Sequence, residues 1–227
     1  MSHTVAAVYT SLAIVGPVSE AFSAAIPNAR LVNIVDDSMI QEVIEANEVT
    51  SAVERRLLRY LMACEDIGAT VILNTCSSIG EAAAQLARYI HLPVINIDDA
   101  MARAAVRECT RVAVLATLPS TLRPTVRLIQ RHAAATGRTV GITEGLADGA
   151  FDALINGDPD LHDRILEETA CRIGTSVEAI VLAQGSMARI QDRLKAKTGL
   201  KIYTSIESGI ASVQSLLDTQ VSLAERV

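Results

Sequence analysis

The alternation of short apolar runs with helical stretches constrains this chain more than any other feature. Apolar runs at residues 5–9, 30–34, 71–73, 94–97, 112–116, 140–142, 179–183 and 201–203 are mostly separated by segments with helical periodicity. Runs this short have strand length. In residues 51–67, Val53, Leu57, Leu61 and Cys64 fall at i, i+4, i+8 and i+11, one face of a helix. Strands that alternate with helices pair in parallel, with helices covering both faces of the sheet. Such sheets bind ligands at the carboxyl ends of their strands. At 227 residues the chain can hold one large α/β domain or two small ones.

Half of the residues are hydrophobic but only 3% are aromatic, so the expected core is aliphatic. The net charge of −6 argues against a nucleic-acid partner, which selects basic surfaces. Scarce aromatics also remove base-stacking platforms. No apolar run approaches the ~18 residues of a membrane span. Met1-Ser2-His3-Thr4 leads straight into a strand-like run, without the pattern of a secretory leader. A cytoplasmic protein that does not engage membranes is expected. The cysteines are Cys64, Cys76, Cys109 and Cys171, and the histidines are His3, His91, His132 and His162. They form no CxxC pair and no zinc-ligand spacing, so neither metal nor disulfide is expected. Cys64, Cys109 and Cys171 read as packing residues.

Asn74-Thr75-Cys76-Ser77-Ser78 directly follows the apolar run Val71-Ile72-Leu73. It reads as a buried strand that ends and turns into a helix. Ser78-Ile79-Gly80-Glu81 has capping-box spacing. That places Cys76 just outside a helix N-terminus, where unpaired N–H groups and the helix dipole favour a thiolate. The plain alternative is a small buried residue at a strand end. Other strand ends are also polar and neutral: Thr10-Ser11, Thr117-Leu118-Pro119-Ser120-Thr121, Gln184-Gly185-Ser186 and Thr204-Ser205. Each alone could be an ordinary N-cap. Together they would offer hydroxyls, amides and helix N–H groups to a small carboxylate. A faint internal repeat matches Val71-Ile72-Leu73 and its turn to Ile180-Val181-Leu182 and its turn. One alignment of that repeat pairs Cys76 with Gly185. The expected domains are 1–98 plus 207–227, and 99–206.

These motifs resemble those of the aspartate/glutamate/hydantoin racemase superfamily. Thr75-Cys76-Ser77-Ser78 is similar to its first catalytic motif, and Val114 to Thr121 to its carboxylate-binding loop. Asn96-Ile97-Asp98-Asp99-Ala100-Met101 resembles its interdomain connection. Val181-Leu182-Ala183-Gln184-Gly185-Ser186-Met187 resembles its second catalytic motif. The resemblance implies an α/β chain of two pseudosymmetric flavodoxin-like domains with parallel sheets and the active site in the cleft between them. It also implies no cofactor, and a homo-oligomer, dimer or larger. In typical members two cysteines face each other across the substrate α-carbon. Cys76 matches the first of these. Gln184 stands where the second is usual, and a carboxamide is neither acid nor base near neutral pH.

Two-base racemisation needs an ionisable group on each face of the substrate. Four readings follow. The protein is an isomerase with another group on the second face, Glu144 or Glu207, each of which otherwise reads as a solvated carboxylate. It is a one-cysteine lyase that protonates an enolate-like intermediate from a malonate-type acid. Cys76 is a nucleophile on an unsaturated diacid, as in maleate isomerases. Or the chain binds a ligand without chemistry. The leading expectation is a cofactor-independent racemase or epimerase of a small α-carboxylate, of the amino acid or hydantoin type. Cys76 and Gln184 hold the catalytic positions. Ser11, Asn74, Thr75, Ser77, Ser78, Thr117, Ser120, Thr121, Gly185 and Ser186 hold the substrate-binding ones. Arg123 is the nearest candidate cation, and otherwise an exposed helix arginine.

Overall fold

The computed structural model of the chain describes residues 3–224. It divides into two units, Met1–Ile97 with Ile206–Val227, and Asp98–Ser205. In the first, strands β1 (Thr4–Tyr9), β2 (Arg30–Val35), β3 (Val71–Asn74) and β4 (Val94–Asn96) form a parallel sheet in the order β2-β1-β3-β4. Helices α1 (Val15–Ala25), α2 (Ser38–Ala46), α3 (Ser51–Asp66) and α4 (Gly80–Leu86) lie between them. The central strands are apolar through their middles because both faces are covered. Val5 to Tyr9 and Val71 to Leu73 are all fully buried. Helix α3 shows how sequence sets a boundary. Thr50 starts it by accepting the Val53 N–H at 3.2 Å, and its buried stripe is Val53, Leu57, Leu61 and Cys64.

The second unit repeats the plan. Strands β5 (Arg111–Ala116), β6 (Gly141–Leu146), β7 (Ala179–Leu182) and β8 (Lys201–Tyr203) pair in parallel in the order β6-β5-β7-β8. Its helices are α5 (Asp99–Glu108), α6 (Pro119–Ala135), α7 (Ala150–Ile155), α8 (Pro159–Ile173) and α9 (Gln191–Thr198). Helix α10 (Ser205–Ala224) leaves β8 and, from Ile206, belongs to the first unit. Both sheets have the strand order of a flavodoxin-like fold without its last strand. Strand β6 runs further than its apolar start at 140–142 indicated, because Thr143 and Glu144 extend it along the sheet edge. Glu144 therefore lies inside the strand, exposed, and not after it.

The registers make the repeat exact enough to read residue by residue. Val5 pairs with Val71 and Ile72 with Val94 in the first unit; Val112 pairs with Ala179 and Ile180 with Ile202 in the second. Beyond the strands, Thr75 N–H donates to the Val8 carbonyl at 3.1 Å, and Ala183 N–H donates to that of Leu115 at 2.9 Å. Asn74 thus corresponds to Leu182, Asn96 to Thr204, and Cys76 to Gln184. The repeat alignment that set Cys76 against Gly185 is one residue off, because only register, not local resemblance, fixes the phase.

Gly209 on α10 has no room for a side chain. A Cβ there would stand 2.6 Å from both the Cγ1 and the carbonyl oxygen of Ile97. Helix propensity alone would favour alanine by ~1 kcal/mol, but overpacking against a fixed carbonyl costs ~1–3 kcal/mol. Gly209→Ala is expected to lower the urea midpoint by an amount equivalent to the difference, ~1 kcal/mol, at constant slope. A raised midpoint would show that α10 can move off Ile97.

Candidate active site

Cys76 occupies the N-cap position of a 3-10 turn, Ser77–Ile79, that runs directly into α4. It has extended backbone angles, φ −115° and ψ 115°. Its side chain is half-buried, whereas Thr75, Ser77 and Ser78 on either side are buried. Two of these neighbours are committed to the scaffold. The Thr75 hydroxyl donates to the Val8 carbonyl at 3.0 Å. The Asn74 amide bonds the Cys76 peptide on both sides, accepting its N–H at 3.4 Å and donating to its carbonyl at 3.0 Å. The turn is therefore tied to β1 through Thr75 and to the end of β3 through Asn74, and the Cys76 side chain is half-buried beside them. Ser11, at the end of neighbouring β1, caps its own 3-10 turn by accepting the Ala13 N–H at 3.3 Å.

Gln184 holds the corresponding place in the second unit. It too is the N-cap of a 3-10 turn, Gly185–Ile190, with φ −127° and ψ 136°. Its Oε1 accepts the Thr117 N–H at 2.8 Å, and the Thr117 hydroxyl lies 3.0 Å from Oε1 and 2.8 Å from Nε2. This carboxamide clamps the ends of β5 and β7 together. Thr117 and Thr121 are buried, and Gly185 and Ser186 are half-buried. Ser120, in the first turn of α6, keeps its hydroxyl shielded from solvent without a hydrogen-bond partner among the described residues. Arg123 projects from the exposed face of α6, and Glu207 is exposed in the first turn of α10. Among the described residues no group of three or more His, Cys, Asp or Glu side chains could hold a metal ion, and no helix is long and apolar enough to cross a membrane.

A family model described as Asp/Glu/Hydantoin racemase matches residues 5–213. No curated protein matches the sequence. Among solved structures, glutamate racemase from Francisella tularensis in complex with D-glutamate superposes with a TM-score of 0.77 at 14% identity, covering 96% of this chain and 82% of its own. Allantoin racemase from Klebsiella pneumoniae gives 0.73 at 19% identity, covering 96% and 89%. Picrophilus torridus aspartate racemase gives 0.72 at 14% identity, covering 93% and 92%. At these identities the structures establish the shared fold.

Two features escaped the sequence reading. One is Asn96, which stands opposite Asn74 in the β3–β4 register; a polar pair at adjacent strand ends was its only signal. The other is a charge network behind the Gln184 turn, in which two buried acids meet exposed cations. Asp163 on α8 accepts from Arg189 at 3.0 Å and from Arg193 at 2.9 Å, beside His162 at 2.8 Å. Glu167 pairs with Arg193 and, at 3.0 Å, with Lys197. The signal was a spacing of four between acids 163 and 167 and among cations 189, 193 and 197. Burial alone would raise the Glu167 carboxyl, but the Lys197 hydrogen bond and the Arg193 and Lys197 charges hold it below its ordinary value of 4.5. A carboxylate with a depressed native value stabilises the fold above the unfolded value, and that stability is lost as pH falls through the native one. Glu167→Gln should therefore lower the urea midpoint at pH 7, with the gap to wild type narrowing from about pH 4.5 downward. A gap of constant size down to pH 3 would show that the carboxylate charge is not what matters.

Proposed function

Starting from membership of the Asp/Glu/hydantoin racemase family, to which this chain belongs, we propose that it is a cofactor-independent racemase or epimerase of a small α-carboxylate, with Cys76 as the proton-transfer thiol. The observation that carries this reading is the Cys76 turn. A half-buried thiol at the start of a helical run, on a peptide held by the Asn74 amide and next to a Thr75 tied to β1, is what a proton-transferring thiolate requires. The thiolate takes the α-proton, and the electron pair delocalises into the adjacent carbonyl group as an enolate-like species. Neutral hydroxyls and N–H groups stabilise that charge. In the second unit, the shielded Ser120 hydroxyl has no hydrogen-bond partner among the described residues and is suited to donate to a bound carboxylate.

Gln184 shapes the rest of the mechanism. Its oxygen is held by Thr117, and a carboxamide neither gives nor takes a proton near neutral pH. The proton returned to the opposite face must come from another group. The same observation favours a second reading, a one-thiol lyase. There the substrate loses carbon dioxide, not a proton, and Cys76 protonates the resulting enolate-like species. The glutamate, aspartate and allantoin racemases that share the fold differ in substrate, so the panel must be broad.

Proton NMR in D₂O with single enantiomers of aspartate, glutamate, neutral amino acids, hydantoins and allantoin, together with substituted malonates, tests both readings. Loss of the α-proton signal with growth of the opposite enantiomer is expected, and Cys76→Ala should slow it at least ~100-fold. Full activity in Cys76→Ala would sink the assignment. Deuterated monoacid from a malonate, without racemisation of the other compounds, would establish the lyase. Independently, iodoacetamide at pH 7 should label Cys76 faster than the exposed Cys171, the buried Cys109, or Cys64, whose thiol burial pushes up to about 11. Labelling that simply follows exposure, with Cys171 ahead, would favour an unreactive cysteine at a strand end.

A further inference from the structure

Two carboxamides stand side by side at the ends of β3 and β4, and together they reach from the thiol-bearing residue to the first residue of α4. Asn74 is 1% exposed, so its amide is not presented to solvent. Besides its two bonds to the Cys76 peptide, its Nδ2 donates to Asn96 Oδ1 at 2.8 Å. Asn96 Nδ2 in turn donates to the Gly80 carbonyl at 2.9 Å. The direction of this chain is forced. A peptide carbonyl accepts and never donates, so the Gly80 end admits only the Asn96 nitrogen. That turns the Asn96 oxygen toward Asn74, which must then present its own nitrogen. The Asn74 oxygen is left for the Cys76 N–H. A lone carboxamide has two nearly equivalent orientations about its last torsion. Here the Gly80 carbonyl selects one of them across two residues.

The second unit is a built-in control. It has the same strand order and register, but Asn74 and Asn96 correspond there to Leu182 and Thr204, and Cys76 to Gln184. Leucine has no polar group, so the amide chain cannot form. The paired amides are therefore not a requirement of this topology. They occur in the unit whose turn carries a thiol.

We propose that Asn96 is a positioning residue for Cys76: through Asn74 it fixes the Cys76 peptide, and with it the aim and surroundings of the thiolate. The inference rests on the reading of Cys76 as the reacting thiol. A misplacement of ~1 Å at a reacting group can cost ~100-fold in rate, which is the scale of effect such an anchor controls.

The test uses the full chain without substrate. Asn96→Leu removes both hydrogen bonds at similar size. Asn96→Thr installs the residue that the second unit carries at this position. The readout is the pH dependence of Cys76 alkylation by iodoacetamide, resolved by peptide mass spectrometry, with Cys171 as internal reference. The titratable neighbours are Glu81 in the first turn of α4 and, in the same packed cluster, Tyr60 and Cys64 on α3; all remain in both variants. Both variants should move the Cys76 profile to higher pH by about one unit, with a lower rate at pH 7 and Cys171 unchanged. Coincident Cys76 profiles in wild type and variants, even with a lower melting temperature, would overturn the proposal and leave Asn96 as a simple tie between β4 and α4. Should Asn96→Leu not fold, Asn96→Thr alone decides. A Cys76 slower than Cys171 in wild type would count against the functional reading instead, and the shift between wild type and variants would still decide this one.

Discussion

The parallel pairing of β1 with β3, and of β5 with β7, is the constraint on which the rest of the structure depends. These central strands are buried on both faces, so they can carry no chemistry along their length. All polar function is displaced to the point where the chain leaves the sheet. Thr75, the first residue past β3, is still drawn into the ladder and bonds the Val8 carbonyl by both its N–H and its hydroxyl. The following residue opens the turn beyond the sheet: Cys76 in one unit, Gln184 in the other.

That common place explains how the two turns can be built alike and be chemically different. Both residues are N-caps of 3-10 turns with similar extended backbone angles. The thiol needs its main chain held by others, and Asn74 and Asn96 do so. The carboxamide at the second position uses its own side chain, bridging to Thr117. A glutamine in that position closes its turn by itself, at the cost of any proton-transfer capacity there. The charge network of Asp163, Glu167, Arg189, Arg193 and Lys197 then holds the far end of the Gln184 turn against α8. Removing one partner from such a set leaves a buried charge uncompensated, which is costly.

The fold was legible because its signal is local and repeated. Eight apolar runs separated by amphipathic segments such as 51–67 allow little besides parallel sheets flanked by helices. The edge strand β6 was read short, since an exposed edge tolerates Thr143 and Glu144, which weaken the apolar signal. The turns were legible as turns because small polar residues crowd the strand ends. What each polar side chain does there was not. Asn74 reads as a group offered to a ligand, yet its amide is wholly occupied within the protein.

The sequence by itself determined the class of fold, the position of each turn and the family, because hydrophobic period and short motifs are properties of contiguous residues. Only the tertiary structure decided that Cys76 corresponds to Gln184 and not Gly185, that Asn96 lies beside Asn74, and that Thr117 answers Gln184. Each of these is a relation between strands separated by 20 to 70 residues or more. Such relations are set by strand register. A shift of one residue changes every partner across the sheet while leaving the local sequence pattern untouched.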